Sequence, residues 1–420
     1  MKPKISILDN GLTVVTQKRP YSSFFNAGIW VKTGSRHEDA QHSGLAHLCE
    51  HMTFKGTPAR SEIELNDAIA DIGGSSEAWT DSSATSFCLE VPCESREFAI
   101  SLLADIIQNS SFRPEDIRLE KQVIRQEMIE DENDDEDLFD DEFSKLVYGA
   151  QSLSQDILGT PETLDSFTRQ DLTAFRDRNY VGANMVLSAS GNIAHEEITA
   201  LAEKYFSNLP KGQASVYPPA RYIGGFKHIR QEDEKAKIRL GFDLNPGGKH
   251  MDIAKVLMGQ IFGGEENSRL NTEIRIKNGL VYSIDCDIDN ETDTGCFSIT
   301  AEADAANINK IMDIIISEIR KIRSEEVSQR ELHRAQRQLI SILTKKDEEN
   351  ASCYVVAAEQ LVNFGKLQDL GKIKKRISAT TEQDIMNAAQ EIFSSRPSYL
   401  AFGKIDGLYG YEEIVKMLRP

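Results

Sequence analysis

Apolar positions along the chain switch between a period near two and a period near 3.6, and the switches mark out the elements. Ser6-Ile7-Leu8-Asp9-Asn10-Gly11-Leu12-Thr13-Val14-Val15-Thr16 predicts a strand, an Asn-Gly turn and a second strand. Residues 26–34 predict another strand and 61–72 a helix. Residues 75–91 predict a hairpin broken near Asp81-Ser82-Ser83, and 96–108 an amphipathic helix. Pro114 opens a further helix, at a position where proline is tolerated. Residues 171–178 predict a helix and 185–191 a strand. The stretch 210–219, with Pro210, Gly212, Pro218 and Pro219, predicts a linker.

After the strand at 26–34, Ser43-Gly44-Leu45-Ala46-His47-Leu48-Cys49-Glu50-His51-Met52-Thr53-Phe54 predicts one short helix, with Ser43 as its N-cap. Positions i, i+3 and i+4 share a helix face, so His47, Glu50 and His51 point the same way. Two imidazoles one turn apart can reach one zinc ion, and a carboxylate between them then stands beside it. This is the zinc-hydrolase helix in inverted order, H-x-x-E-H. A catalytic zinc needs a third protein ligand as well as an open position. Candidates lie in Leu119-Glu120-Lys121-Gln122-Val123-Ile124-Arg125-Gln126-Glu127-Met128-Ile129. Val123, Ile124 and Met128 have helical spacing there, and Glu120 and Glu127 fall two turns apart on one stripe.

With these residues together, the chain resembles the inverted-zincin peptidases of the pitrilysin type, family M16, the clan of insulysin and the mitochondrial processing peptidase. The family's ligating glutamate matches Glu127, and a second, supporting glutamate matches Glu120. The resemblance implies one zinc ion per chain on His47, His51 and Glu127, with Glu50 as the base that takes a proton from the attacking water.

The pattern of the first half starts again after the linker. Thr168-Arg169-Gln170-Asp171-Leu172 recurs as Thr381-Glu382-Gln383-Asp384-Ile385, and Ala189-Ser190-Gly191-Asn192-Ile193 as Ala401-Phe402-Gly403-Lys404-Ile405. The helix from Asp116-Ile117 pairs with the one from Glu331-Leu332, and residues 46–56 pair with 254–264. In the second copy Lys255, Met258, Gly259 and Ile342 stand where His47, Glu50, His51 and Glu127 do, so only the first half carries the metal residues. The expected fold is α+β: two homologous domains, 1–213 and 214–420, each a mostly antiparallel sheet flanked by helices, facing each other across a cleft.

Phe262-Gly263-Gly264-Glu265-Glu266-Asn267-Ser268 is glycine-rich but lacks the G-x-x-x-x-G-K-[ST] order of a phosphate loop, which makes nucleotide binding a poor reading. The following Glu273-Ile274-Arg275-Ile276-Lys277-Asn278-Gly279-Leu280-Val281-Tyr282 resembles the family's second signature. That resemblance implies that Arg275 and Tyr282 hold substrate and steady the tetrahedral intermediate, as donors aimed at a developing oxyanion do. It also implies that the substrate strand adds to a sheet edge of the first domain, at the hairpin after Gly73-Gly74. There the family has Asn-Ala, and this chain has Glu77-Ala78. Glu77 is expected either to shift preference toward basic side chains or to mark a specialised, weakly active member. The short branch of the family pairs two chains, so the expected assembly is a homodimer or a heterodimer with a homologous subunit. The alternative role is that of a non-catalytic or partner-dependent subunit.

Composition narrows the remaining classes. A net charge of −19 argues against nucleic-acid binding, which needs a basic footprint. No run approaches the roughly 18 apolar residues of a membrane span. Six cysteines are scattered without a Cys-x-x-Cys pair, which gives no support for a cysteine zinc site or a disulfide framework. Lys2-Pro3-Lys4-Ile5 leads into a strand pattern with no apolar leader, so the expected compartment is the cytoplasm. The acidic run 130–137 reads equally as a solvated loop or as a rim near the metal that attracts basic peptides. The expected function is a zinc-dependent endopeptidase for short or unfolded, basic peptides.

Overall fold

The computed structural model describes residues 2–231, 234–245 and 252–419. These form two compact units: Met1–Asp135 with Ser152–Pro218 and Thr344–Leu367, and Glu136–Gln151 with Pro219–Leu343 and Gln368–Pro420.

The first unit is built on six strands, β1 (Lys4–Ile7), β2 (Thr13–Lys18), β3 (Phe24–Val31), β4 (Ser75–Thr80), β5 (Thr85–Pro92) and β6 (Met185–Gly191). Their order in the sheet is β1-β2-β6-β3-β5-β4. Only β2 and β6 run parallel, in the register Thr13↔Val186. Gly11, at φ 88°, makes the turn between β1 and β2, a conformation that a side chain would strain. The second unit has β7 (Phe226–Arg230), β8 (Lys235–Asp243), β9 (Ile284–Asn290), β10 (Gly295–Asp304) and β11 (Ser398–Gly403), in the order β7-β11-β8-β10-β9. Here too the single parallel pair is β7 with β11, and the rest are antiparallel.

Strand for strand, β2-β6-β3-β5-β4 and β7-β11-β8-β10-β9 have one topology, so the duplicated sequence pattern corresponds to a duplicated fold. The helices follow suit. Leu45–Thr53 lies between β3 and β4 as Ile253–Gly259 lies between β8 and β9. Thr168 and Thr381 each close a capping box at the N-terminus of an equivalent helix, Arg169–Asn179 and Glu382–Ile392.

The units do not follow a single cut in the chain. Residues 214–218 stay with the first unit because Ser215 is tied to it: its amide donates to Asn184 Oδ1 at 2.7 Å and its hydroxyl to Asn179 Oδ1 at 3.0 Å. Two helices, Asp135–Tyr148 and Asn350–Phe364, come at equivalent places in the repeat, and each belongs to the unit built from the other half. The physical cause lies in the sheets. The face of the first sheet away from its main core presents Val15, Trp30, Cys88 and Val186, and Tyr354, Ala357, Ala358 and Leu361 of Asn350–Phe364 cover it. Burying each large apolar side chain stabilises by about 1.5–3 kcal/mol, so a bare face would be costly. Ser188 and Ser190 add hydrogen bonds of 2.7 Å to the carbonyls of Tyr354 and Asn350.

In the second unit the helix Asp135–Tyr148 covers β8. Arg239 lies over the rings of Phe139 and Phe143, at 4.8 and 5.0 Å, and pairs with Asp140 at 2.7 Å. The acidic run is therefore helical: Glu130 to Asn133 end one helix and Asp135 starts the next. Within the run Glu136 pairs with Lys237, and just beyond it Asp140 and Glu142 pair with Arg239 and Lys227, so its C-terminal end is a helix tied to β7 and β8. Among the described residues no helix is long and apolar enough to cross a membrane.

Candidate metal centre

The motif helix Leu45–Thr53 turns Leu45, Leu48, Cys49 and Met52 into the main core of the first unit. That leaves His47, Glu50 and His51 on the side facing the long helix Pro114–Asn133 and strand β4. The long helix packs through Ile117, Glu120, Ile124 and Met128. Val123, expected in that stripe, is 44% exposed, and Glu120 holds the buried position instead. A buried carboxylate in an apolar stripe needs partners. Glu120 has two: His51 Nδ1 at 3.0 Å and Lys55 Nζ at 2.8 Å, the latter also held by Glu62 at 2.8 Å.

This grip on Nδ1 turns the His51 Nε2 toward Glu127, whose Oε2 is 3.7 Å away. The His47 and His51 rings lie 4.5 Å apart. One donor atom each from His47, His51 and Glu127 falls within 4.8 Å of the others. His47 Nδ1 and Glu127 Oε2 are buried and have no hydrogen-bond partner among the described residues. Two imidazoles and a carboxylate, converging with orphaned polar atoms, form the N,N,O donor set that zinc takes at catalytic sites. The residues present fit the ion. A hydrogen bond donated by the far nitrogen of a ligand histidine to a carboxylate, here His51 Nδ1 to Glu120, is the usual way to fix its tautomer and orientation.

The electrostatics agree. Burial, reinforced by the charge of His51, pushes the His47 pKa down to about 3, so this imidazole is neutral and has a free lone pair. Burial also pulls on His51, but the Glu120 hydrogen bond and the charges of Glu127, Glu50 and Glu120 outweigh it and raise its pKa. Glu127 is raised by burial and, against the pull of His51, by Asp131, Glu120 and Glu130. These acids crowd around a place where a cation belongs. Glu50 is 8% exposed and accepts from the Thr80 hydroxyl at 2.8 Å. Burial raises its pKa while the Thr80 hydrogen bond resists.

Ser43 does not cap the motif helix; its hydroxyl donates to the Asp156 carbonyl at 3.3 Å. The N-cap is Gly44, at φ 92°, where an added Cβ would meet the Leu158 carbonyl oxygen at 2.4 Å. The first-turn amides turn instead to Glu38, which receives Gly44 N at 2.9 Å and Ala46 N at 2.5 Å. Burial pushes the Glu38 carboxyl up to about 8, and the amides of Ala46, Gly44 and Leu45 resist that. Glu38, Thr80 and Lys55 were not among the sequence candidates. Only Lys55, one turn beyond His51, stood where spacing would have signalled it.

The hairpin residues divide between the faces of the sheet. β4 is an edge strand. Ala78 packs against the main core, and Thr80 on the same face reaches Glu50. Glu77 pairs in register with Cys88 and alternates to the opposite face, where burial raises the Cys88 and Tyr354 pKa values and the Glu77 charge adds to it. Its side chain therefore points away from Glu50. Arg275 and Tyr282 lie in the second unit. Beyond the helical turn Asn271–Ile276 the chain reverses at Gly279, φ 62°, whose amide donates to the Arg275 carbonyl at 2.9 Å. That reversal brings the Arg275 guanidinium to 5.8 Å from the Tyr282 ring. In the second unit's counterpart of the motif helix, Lys255 is buried and held by Glu391 at 2.7 Å, with Met258 and Gly259 buried beside it.

Comparison with known proteins adds an independent line. Residues 13–161 match the family model "Insulinase (Peptidase family M16)" and 166–339 the model "Peptidase M16 inactive domain". Over 406 residues the chain is 36% identical to an uncharacterized zinc protease of Rickettsia felis, covering 96% of this chain and 98% of that protein. It is 31% identical to the probable mitochondrial-processing peptidase subunit beta of Schizosaccharomyces pombe, covering 98% and 94%. In fold it is similar to a protease from Helicobacter pylori, with a TM-score of 0.87 at 20% identity, over 96% of this chain and 99% of the other.

Proposed function

The chain belongs to the insulinase family of peptidases, M16, and on that premise we propose that it is a zinc-dependent endopeptidase cleaving short or unfolded, basic peptides. The observation that carries this reading is the convergence of His47, His51 and Glu127 within 4.8 Å, with Glu50 held beside them by Thr80. His47, His51 and Glu127 would hold one ion per chain. When bound, zinc supplies a Lewis acid that polarises a peptide carbonyl and lowers the pKa of water toward about 7. Glu50 is the group that takes a proton from the attacking water and returns it to the leaving amine. Burial moves its pKa upward, the direction that favours taking a proton from water. The outer edge of β4 offers main-chain groups with which an extended peptide can pair, and this favours unfolded substrates over folded ones.

Arg275 and Tyr282 are assigned to the substrate. Arg275→Ala and Tyr282→Phe are expected to leave zinc content unchanged while turnover falls. For Tyr282→Phe the fall is put at about tenfold, less than a buried oxyanion donor supplies, because Tyr282 is 89% exposed. Normal turnover in both variants would remove the role. The preference for basic peptides rests on Glu130 and Asp131, whose charges reach Glu127. Glu77 faces away and is left out of it. Pairing with a second copy or a homologous chain is part of the proposal; the Schizosaccharomyces pombe relative is by name a subunit. So is a cytoplasmic setting, which suits six free cysteines.

The test is cleavage of a matched basic and neutral peptide by the purified chain, with and without a chelator, at low and high salt. The chelator is expected to abolish both activities. Charges beyond a Debye length of about 8 Å are screened at physiological salt, so raising salt is expected to lower kcat/KM for the basic peptide more than for the neutral one. Cleavage that survives chelation would overturn the metallopeptidase reading. Equal salt responses would overturn only the charge preference.

A further inference from the structure

The groups around the metal site are not held alike. His51 is fixed through Nδ1 by Glu120, which Lys55 fixes in turn, and Glu50 is fixed by Thr80. Neither ring nitrogen of His47 has a side-chain or backbone hydrogen bond among the described residues, so nothing holds the nitrogen that would face away from the ion. With no side-chain grip, the place of this imidazole follows from the backbone that carries it, the first turn of the motif helix.

That turn lacks a cap of its own. Gly44 at the N-cap has no side chain to offer, and the Ser43 hydroxyl is turned to Asp156. The free amides of a first turn need acceptors, and only one of these, from Leu45 to the His42 carbonyl at 3.1 Å, is met by nearby backbone. Glu38 meets the amides of Gly44 and Ala46, one on each carboxylate oxygen. It is 7% exposed, so its desolvation is expensive. The second unit shows the cheaper solution. There the equivalent helix Ile253–Gly259 is capped locally by Asp252, whose side chain accepts from Ala254 N at 3.0 Å. The buried, remote carboxylate occurs in the unit whose helix carries the histidines, and the ordinary cap in the unit whose helix carries none.

We infer that Glu38 is a positioning residue for the metal site: by binding the first-turn amides it fixes where His47 stands, and so sets the affinity for zinc. It touches neither the ion nor the peptide. The identity of the ion rests on the metallopeptidase reading above.

Zinc affinity, measured by competition with a chromophoric chelator, tests this in wild type, Glu38→Gln, Glu38→Asp and Thr168→Ala. Glutamine keeps one accepting oxygen and replaces the other with an NH2 that cannot accept, so one amide loses its partner. Thr168 caps the helix Arg169–Asn179, which packs against the motif helix but carries no donor, by accepting from Asp171 N, and its loss controls for a generally weakened helix beside the site. Glu38→Gln is expected to bind zinc about tenfold or more weakly, as when other groups that orient metal ligands are removed. In the metal-free variant the Gly44 and Ala46 amides should exchange faster with solvent. Thr168→Ala is expected to keep the wild-type affinity. Wild-type affinity in Glu38→Gln, or an equal loss in Thr168→Ala, would overturn the inference. Should Glu38→Gln not fold, Glu38→Asp decides: its shorter arm must drag the turn or release an amide, and unchanged affinity there also overturns it. A wild-type chain that takes up no zinc is a different result, and it removes the metallopeptidase reading itself.

Discussion

Replacing Glu50 with glutamine is expected to leave zinc in place and to lower kcat for peptide cleavage by at least about a hundredfold, the scale of general-base catalysis. The two effects separate because Glu50 lies outside the converging donor set of His47, His51 and Glu127. Glutamine fills nearly the same volume and can still accept from Thr80 through its carbonyl oxygen, so the buried neighbourhood is kept. What is lost is the ability to take a proton. Metal content by mass spectrometry and kcat on one peptide, measured on the same preparation, give the answer. Loss of metal together with activity would make Glu50 a ligand, and unchanged kcat would remove it from the reaction.

The second large effect concerns the metal. His51→Ala removes one of three donors and is expected to abolish stoichiometric zinc binding, and cleavage with it. Glu120→Gln should be graded, weakening affinity about 10–100-fold, because Glu120 orients His51 through Nδ1 and is also needed by Lys55. An amide there can still accept, but it brings no charge to Lys55 and favours His51 less. Titration of the metal-free proteins with zinc distinguishes the cases. Full occupancy in His51→Ala would displace the site from this helix, and wild-type affinity in Glu120→Gln would reduce Glu120 to a core ion pair.

Much of the site was legible in the chain because it depends on local spacing. His47, Glu50 and His51 share a face through helix geometry alone, and Thr168 and Thr381 announce equivalent capping boxes for the same reason. Glu127 could be assigned only through resemblance. Its stretch contains several glutamates, and which one meets the histidines depends on how two helices pack. Glu77 shows the limit from the other side. A strand alternates its faces, so one residue of register decides whether a side chain reaches Glu50 or the far side, and Thr80 is the one that reaches it.

By itself, the sequence determined the motif helix, most of the strands and helices of the first half, the recurrence of several of its segments in the second, and the absence of metal residues there. Each of these follows from periodicity, caps and residue type, which act within a few positions of chain. Only the tertiary structure decided the rest. It chose Glu38 over Ser43 for the motif helix, seated Lys55 on Glu120 and Thr80 on Glu50, and placed Asn350–Phe364 on the first sheet and Asp135–Tyr148 on the second. Those choices come from satisfying buried amides and carboxylates and from covering apolar sheet faces. Their partners are distant in the chain, and no local pattern names them.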